Sequence, residues 1–399
     1  MERAVSAAWQ EPYKHTGNML ERVLSVYMKD TSNHYARYAS ITQSSGTGKS
    51  RMVDELAKQI FCIPMSLGSK SAYPPQDIEV VRYFQSSMSG NAGMRAQRIQ
   101  LFMCALFEIA LARVKVIASE YDSEDKSLSG LASRFRQLMS DGMEYGQHGQ
   151  YREEFYSDVC KRATEVSCIS AQLLSSRSGI THTPGQGSPT PVVSVEDQKA
   201  TPITVTTAAQ ALTSYLAKIP IKSSAGANTQ LDLILHFDEA QLLTRSGNTA
   251  EEALFPDVRR ALGLIRNLPI FALFLSTVGK LEQFSPPPQL DSSERIFRST
   301  LVPFPPIVWT PVDVLAARIT NDKVWTLREV ASTHHIAHLG RPLFAAMYDA
   351  ALAEGDQEVH TWIVKFALQR RAQRAVNAPL TGPRQMARPQ SPPSLQSPR

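Results

Sequence analysis

Two short stretches carry residue types that could do chemistry: QSSGTGKS at 43–50 and HFDEAQ at 236–241. Gly48, Lys49 and Ser50 fit the end of the phosphate-binding pattern Gly, four arbitrary residues, Gly-Lys-Ser/Thr, but Gln43 stands where that pattern has its first glycine. A nucleoside triphosphate concentrates negative charge, which a glycine-rich loop at the start of a helix can meet with several backbone N–H groups. On that reading Ser45, Gly46, Thr47, Gly48, Lys49, Ser50 and Arg51 form the cradle. Gly46 and Gly48 permit close approach, Lys49 puts a point charge between the β and γ phosphates, and the Ser50 hydroxyl takes a place on Mg²⁺. The competing reading is a surface turn ahead of an amphipathic helix.

In the second stretch, Asp238 and Glu239 close an apolar run, LDLILHF. Mg²⁺ keeps several waters and needs one or two carboxylates, while hydrolysis needs a base to orient or deprotonate the attacking water. Adjacent acids can divide those tasks, with Asp238 in the metal shell and Glu239 on the water. Alone, a DE pair is an ordinary loop start; downstream of a phosphate loop it points to a nucleotide site.

Both stretches need scaffolds that put them together. YARYASIT at 35–42 alternates and is rich in β-branched and aromatic residues, as a strand is, and SRMVDELAKQI sets Val53, Leu56, Ala57 and Ile60 on one helical stripe. FCIPMSL at 61–67, LDLILHF at 231–237 and PIFALFLSTVG at 269–279 read as further strands, the last two buried. Strands alternating with helices predict an α/β fold, a parallel sheet covered on both faces with ligand sites at the carboxyl ends of its strands. Residues 1–34 read as a helical lead-in, 35–308 as the core, about 93–178 as a helical insertion within it, about 179–207 as a flexible linker, 309–370 as a C-terminal helical lid and 371–399 as a disordered Pro/Arg-rich tail. Phe304 and Trp309 are expected to pack between sheet and lid.

The SSGTGKSR loop, the HFDEAQ strand end, the FLSTVG strand and the LGRPLF segment together resemble the P-loop ATPase domain of the AAA/STAND type, especially the version in Crinkler-family proteins of fungi and oomycetes. The resemblance covers roughly residues 35–350. It implies an AAA-like P-loop NTPase that binds ATP and Mg²⁺ and hydrolyses ATP slowly, as a conformational switch or motor module. It further implies that Thr277, with Ser276 beside it, senses the γ-phosphate and that Arg341 reaches back from the lid to the nucleotide. A trans-acting arginine finger would be sought at Arg295 and Arg298. The ubiquitin-like header and the nuclease-like domain found in that family are not recognisable, so secretion and host targeting do not carry over. ATP is preferred over GTP by resemblance, since no guanine-reading Asn/Thr-Lys-x-Asp motif is visible.

The rival is a non-hydrolysing or degenerate nucleotide-binding module that works as an interaction surface through the insertion and tail. Gln43 favours it; the intact Lys49, Ser50, Asp238 and Glu239 set opposes it. A third reading, ATP-driven handling of DNA, rests on charge. Six of the 42 basic residues are arginines at or beyond position 370, where there is no acid, and the remaining 369 residues carry 36 bases against 37 acids. Any nucleic-acid contact is therefore expected from the tail alone. Protein partners or self-association fit the family.

The longest apolar run falls short of the ~20 residues of a membrane span, and the polar start lacks a secretory signal, so no membrane partner and a cytoplasmic or nuclear location are expected. Cys62, Cys104, Cys160 and Cys168 form no CxxC pair and are expected as thiols. His334, His335 and His338 cluster in STHHIAHLG. With no acid or cysteine close in sequence to complete a metal site, they are expected on a helix surface.

Overall fold

The computed structural model of the chain describes residues 2–10, 19–69, 73–120, 126–178, 204–220, 231–244, 253–277, 284, 294–298, 301–308, 312–320, 322 and 324–377. Helices α1 (Glu2–Gln10) and α2 (Met19–Lys29) precede strand β1 (Tyr38–Thr42), and α3 (Lys49–Leu56) links it to β2 (Phe61–Ser66). Helices α4 (Ile78–Ser87), α5 (Ala92–Glu120), α6 (Leu128–Ser140), α7 (Gln150–Ser178) and α8 (Val205–Leu216) follow. Strand β3 (Leu233–Asp238), α9 (Gln241–Thr244), α10 (Phe255–Leu264) and β4 (Ile270–Ser276) complete the sheet. Then come α11 (Glu294–Phe297), α12 (Leu327–Val330), α13 (Thr333–His338), α14 (Pro342–Ala353) and α15 (Val359–Asn377).

The four strands are parallel in the order β1-β4-β3-β2, which makes this an α/β protein. Side chains alternate between the two faces of each strand. Leu233, Leu235 and Phe237 of β3 and Ala272 and Phe274 of β4 join α4 to α8 and α10 in one core. Ile234, Phe271, Leu273 and Leu275 join α2 and α3 in another. The central strands are buried on both sides, which is why their sequences are apolar at successive positions rather than at every second one, with His236 as the polar interior exception and Asp238 and Ser276 at the carboxyl ends. Beyond β1, Ile307 N–H donates to the Ser40 carbonyl at 2.7 Å and Thr42 N–H to the Ile307 carbonyl at 3.2 Å, extending that edge by a short bridge.

Helix α3 ends at Leu56, earlier than the stripe through Ile60, although Val53, Leu56, Ala57 and Ile60 all enter the α2–α3 core. The lead-in divides: α2 packs on the sheet, while Ala4 of α1 is buried with Met347, Tyr348 and Phe366 of α14 and α15. The stretch from about 93 to 178 holds α5, α6 and α7, and the linker is outside the described residues up to 203. Within 309–370 the described residues become helical at Leu327, and α15 runs past the expected start of the tail to Asn377; 378–399 lie outside the described residues. Phe304 stacks on His34 and packs on Tyr27 and Phe271, on the α2 side rather than against the lid; Trp309 lies outside the described residues.

A buried ionic knot ties the helical insertion to the sheet. Arg152 of α7 forks onto Asp77 through Nε at 2.8 Å and Nη2 at 2.7 Å, and also donates to the Pro64 carbonyl on β2 at 3.0 Å. The Ser66 N–H donates to the same carboxylate at 2.7 Å. Nearby, Arg136 of α6 forks onto Asp54 of α3. Among the described residues no helix is long and apolar enough to cross a membrane.

Candidate functional site

Because the strands are parallel, their carboxyl ends share one edge of the sheet. Loop 43–48 leaves β1 there, Asp238 ends β3 with Glu239 next, and Thr277 follows β4, which lies between β1 and β3. Residues far apart in sequence thus converge.

Two glycines set the loop. Gly46 and Gly48 have φ of 80° and 84°, the left-handed region that glycine adopts at no steric cost. A Cβ on Gly46 would also come to 3.0 Å from Leu343 Cδ2, so α14 presses on this point. Leu343 N–H donates to the Gly46 carbonyl at 3.2 Å, and Arg341 Nη1 donates to the Ser45 carbonyl at 3.1 Å. The start of α14 thereby clasps the loop. Buried Thr47 donates its hydroxyl to the Ser44 carbonyl at 3.0 Å, and Gly48 begins α3 without a side-chain cap, leaving its first-turn N–H groups no side-chain acceptor at that position.

Gln43 needs no left-handed backbone: among the described residues only Glu239 and Asp313 are non-glycine residues with positive φ. Its carboxamide donates to the Val308 carbonyl at 3.1 Å and accepts from the Ser44 N–H at 2.9 Å. The departure from the glycine pattern is absorbed without backbone strain.

Lys49 is buried, and its ammonium donates to the carbonyls of Gln43 and Ser44 at 2.8 and 3.1 Å. Burial raises the Asp238 carboxyl above its ordinary value, against the opposing Ser50 hydrogen bond and Lys49 charge. Burial, and next the Asp238 charge, raise Glu239 as well. Glu239 sits at φ 50°, a strained conformation that costs about 1 kcal/mol or more. Its Oε2 accepts from Thr277 Oγ1 at 3.2 Å and from Gln241 Nε2. Two under-compensated carboxylates beside one lysine favour added positive charge, and the oxygen pair of Ser50 and Asp238 suits a hard divalent cation. Glu239, with its raised proton affinity and an oriented carboxylate, can accept a proton from water.

Ser45, Gly46, Thr47, Gly48, Lys49 and Ser50 therefore lie together with Asp238, Glu239, Thr277 and Arg341. Arg51 differs, since its guanidinium donates to the Trp9 carbonyl, lies 5.3 Å from the Trp9 ring centroid and pairs with Glu55 at 3.0 Å. Arg298 pairs with Glu294 on an exposed turn of α11. Sequence reasoning missed Gln241 and Gly68, where a Cβ would approach Glu239 Cγ to 3.2 Å. Gln241 stood in the quoted HFDEAQ stretch, whereas Gly68 carried no signal beyond a glycine after a strand. Of the histidines expected at a helix surface, His335 and His338 are buried and His334 is exposed. Cys62, Cys104 and Cys160 are free thiols.

Comparison with known proteins gives one family match: a domain of unknown function (DUF8735) matches residues 14–124, a segment that holds β1, the glycine loop, α3 and β2 and stops well before β3. No curated protein and no solved structure matches the chain.

Proposed function

We propose that the chain is a Mg²⁺-dependent ATPase resembling the AAA/STAND type, the Crinkler-family version in particular, and that it uses slow hydrolysis to reset a conformational switch. One observation carries this reading: the glycine loop, the Asp238–Glu239 pair, Thr277 and the Arg341 end of α14 meet at one edge of a parallel sheet. Loop amides and Lys49 would hold the phosphates, exchanging the carbonyl partners of Lys49 for phosphate oxygens. Ser50 and Asp238 would hold Mg²⁺, which would supply positive charge against the charge developing on the phosphates. Glu239, kept in place by Thr277 and Gln241, would align the attacking water and take its proton. Arg341 and Leu343 already touch the loop, so an occupied loop would be felt directly by the lid.

The test is Mg²⁺-ATP binding and phosphate release by the purified chain beside Lys49→Ala and Glu239→Gln. The expected pattern is loss of binding in the first variant and retained binding in the second, with turnover reduced about 100-fold or more. If none of the three binds nucleotide, the ATPase reading fails and the interaction module takes its place.

A further inference from the structure

The lid holds a second cluster of ligand atoms, remote in sequence from the glycine loop. His334 and His338 lie one turn apart on α13, and α14 brings Asp349 to them. One ring nitrogen from each histidine and one carboxylate oxygen all lie within 4.8 Å of one another. His338 Nε2 is 3.1 Å from Asp349 Oδ2, close to the ~3.3 Å edge expected between tetrahedral ligands at zinc distances. His334 and Asp349 are exposed, so small side-chain rotations can close the set.

The surroundings of His338 supply a second, independent pointer. Its Nδ1 is 2.6 Å from the His334 backbone carbonyl, an acceptor, and its Nε2 faces the Asp349 carboxylate, also an acceptor. A neutral imidazole has one N–H, so it can donate to only one of these partners. With Nδ1–H given to the carbonyl, Nε2 and the carboxylate oxygen face each other at a distance that calls for a positive centre between them, a second ring proton or a metal ion. An Nδ1–H fixed on a backbone carbonyl is also the outer arrangement that orients metal-ligating histidines.

We infer that His334, His338 and Asp349 form a divalent transition-metal site of the zinc type, with a position left open to water. Two imidazoles select zinc-like ions over Mg²⁺, so the site is chemically distinct from the Ser50–Asp238 oxygen pair and does not depend on the nucleotide reading. The ion would cross-link α13 to α14, the helix whose first residues clasp the glycine loop.

The chelator-treated full chain is titrated with Co²⁺, and separately with Zn²⁺, in excess Mg²⁺. The native chain and the variants His334→Ala and Asp349→Asn, both at exposed positions, are followed by cobalt visible absorption and thermal melting. Circular dichroism verifies that each variant is folded. The expected result is one tightly bound Co²⁺ per chain with tetrahedral-type absorption, a Zn²⁺-dependent rise in Tm, and affinity lowered at least about 10-fold in both variants. His360→Ala, which removes a neighbour outside the set, should keep the absorption. Absence of saturable Co²⁺ binding to the native chain, or undiminished binding in either ligand variant, overturns the site and leaves His338 as a hydrogen-bond partner of Asp349.

Discussion

Buried or half-buried acids lie near the carboxyl ends of both β2 and β3, and the protein treats the two places oppositely. Asp77 is matched: a forked guanidinium and a backbone N–H meet its oxygens, and its charge raises the Arg152 guanidinium. Asp238 and Glu239 are left short: burial outweighs the Ser50 hydrogen bond and the Lys49 and Arg152 charges at Asp238, and the Asp238 charge adds to burial at Glu239. Complete compensation makes a rivet that holds the insertion to the sheet. Incomplete compensation would suit a bound cation, which would relieve part of the cost in stability.

Breaking the rivet should have the largest effect. Arg152→Ala leaves Asp77 buried without its guanidinium, with only the Ser66 N–H and the His148 ring beside its carboxylate, and should lower stability by about 3 kcal/mol, read from the urea unfolding midpoint. Asp238→Asn removes charge from the under-compensated pair and should cost less than about 1 kcal/mol, or stabilise, when Mg²⁺ is absent. The contrast between the two regions collapses if the second substitution costs as much as the first. Replacing both Asp77 and Arg152 with apolar residues of similar volume should recover much of the Arg152→Ala loss.

The pH dependence sharpens the contrast at a smaller scale. The ordinary values are 3.8 for Asp238 and 4.5 for Glu239, and both groups are raised in the folded chain. The folded state therefore holds protons that the unfolded state releases, and stability from these groups is fully present below the ordinary values and lost as pH rises through the raised ones. As pH rises above 4 in chelator, the native chain should lose stability relative to an Asp238→Asn/Glu239→Gln variant, read from urea unfolding midpoints across the pH series. Mg²⁺ with nucleotide should flatten that difference. Parallel pH profiles in chelator would mean that the carboxylates are as well compensated as Asp77.

How far these two regions were legible in the sequence follows from the range of their contacts. Strands β1, β3 and β4, the left-handed glycines and the acids at the end of β3 all leave local patterns: apolar runs, glycines in a loop, charges after a strand. The rivet pairs Asp77 with Arg152 across the chain from a turn to a long helix, and no periodicity reports such a pair. The packing of α1 on the lid and the approach of Asp349 to His338 were hidden for the same reason. Gln43 is the instructive middle case, since the pattern mismatch was visible but its consequence depends on φ and on the distant Val308 carbonyl.

That residue gives the smallest and most discriminating change. Gln43→Gly restores the missing glycine of the phosphate-loop pattern, yet the backbone there has no left-handed φ for glycine to relieve. The substitution removes the side-chain bonds to the Val308 carbonyl and the Ser44 N–H and frees the unfolded chain, so it should destabilise by roughly 0.5–1.5 kcal/mol. Nucleotide affinity should change less than about threefold, because Lys49 uses the carbonyl of residue 43 and not its side chain. Tm and ATP titration measure the two quantities separately. A large gain in affinity would mean that Gln43 restrains the loop, its side-chain bonds holding the fold at the expense of binding.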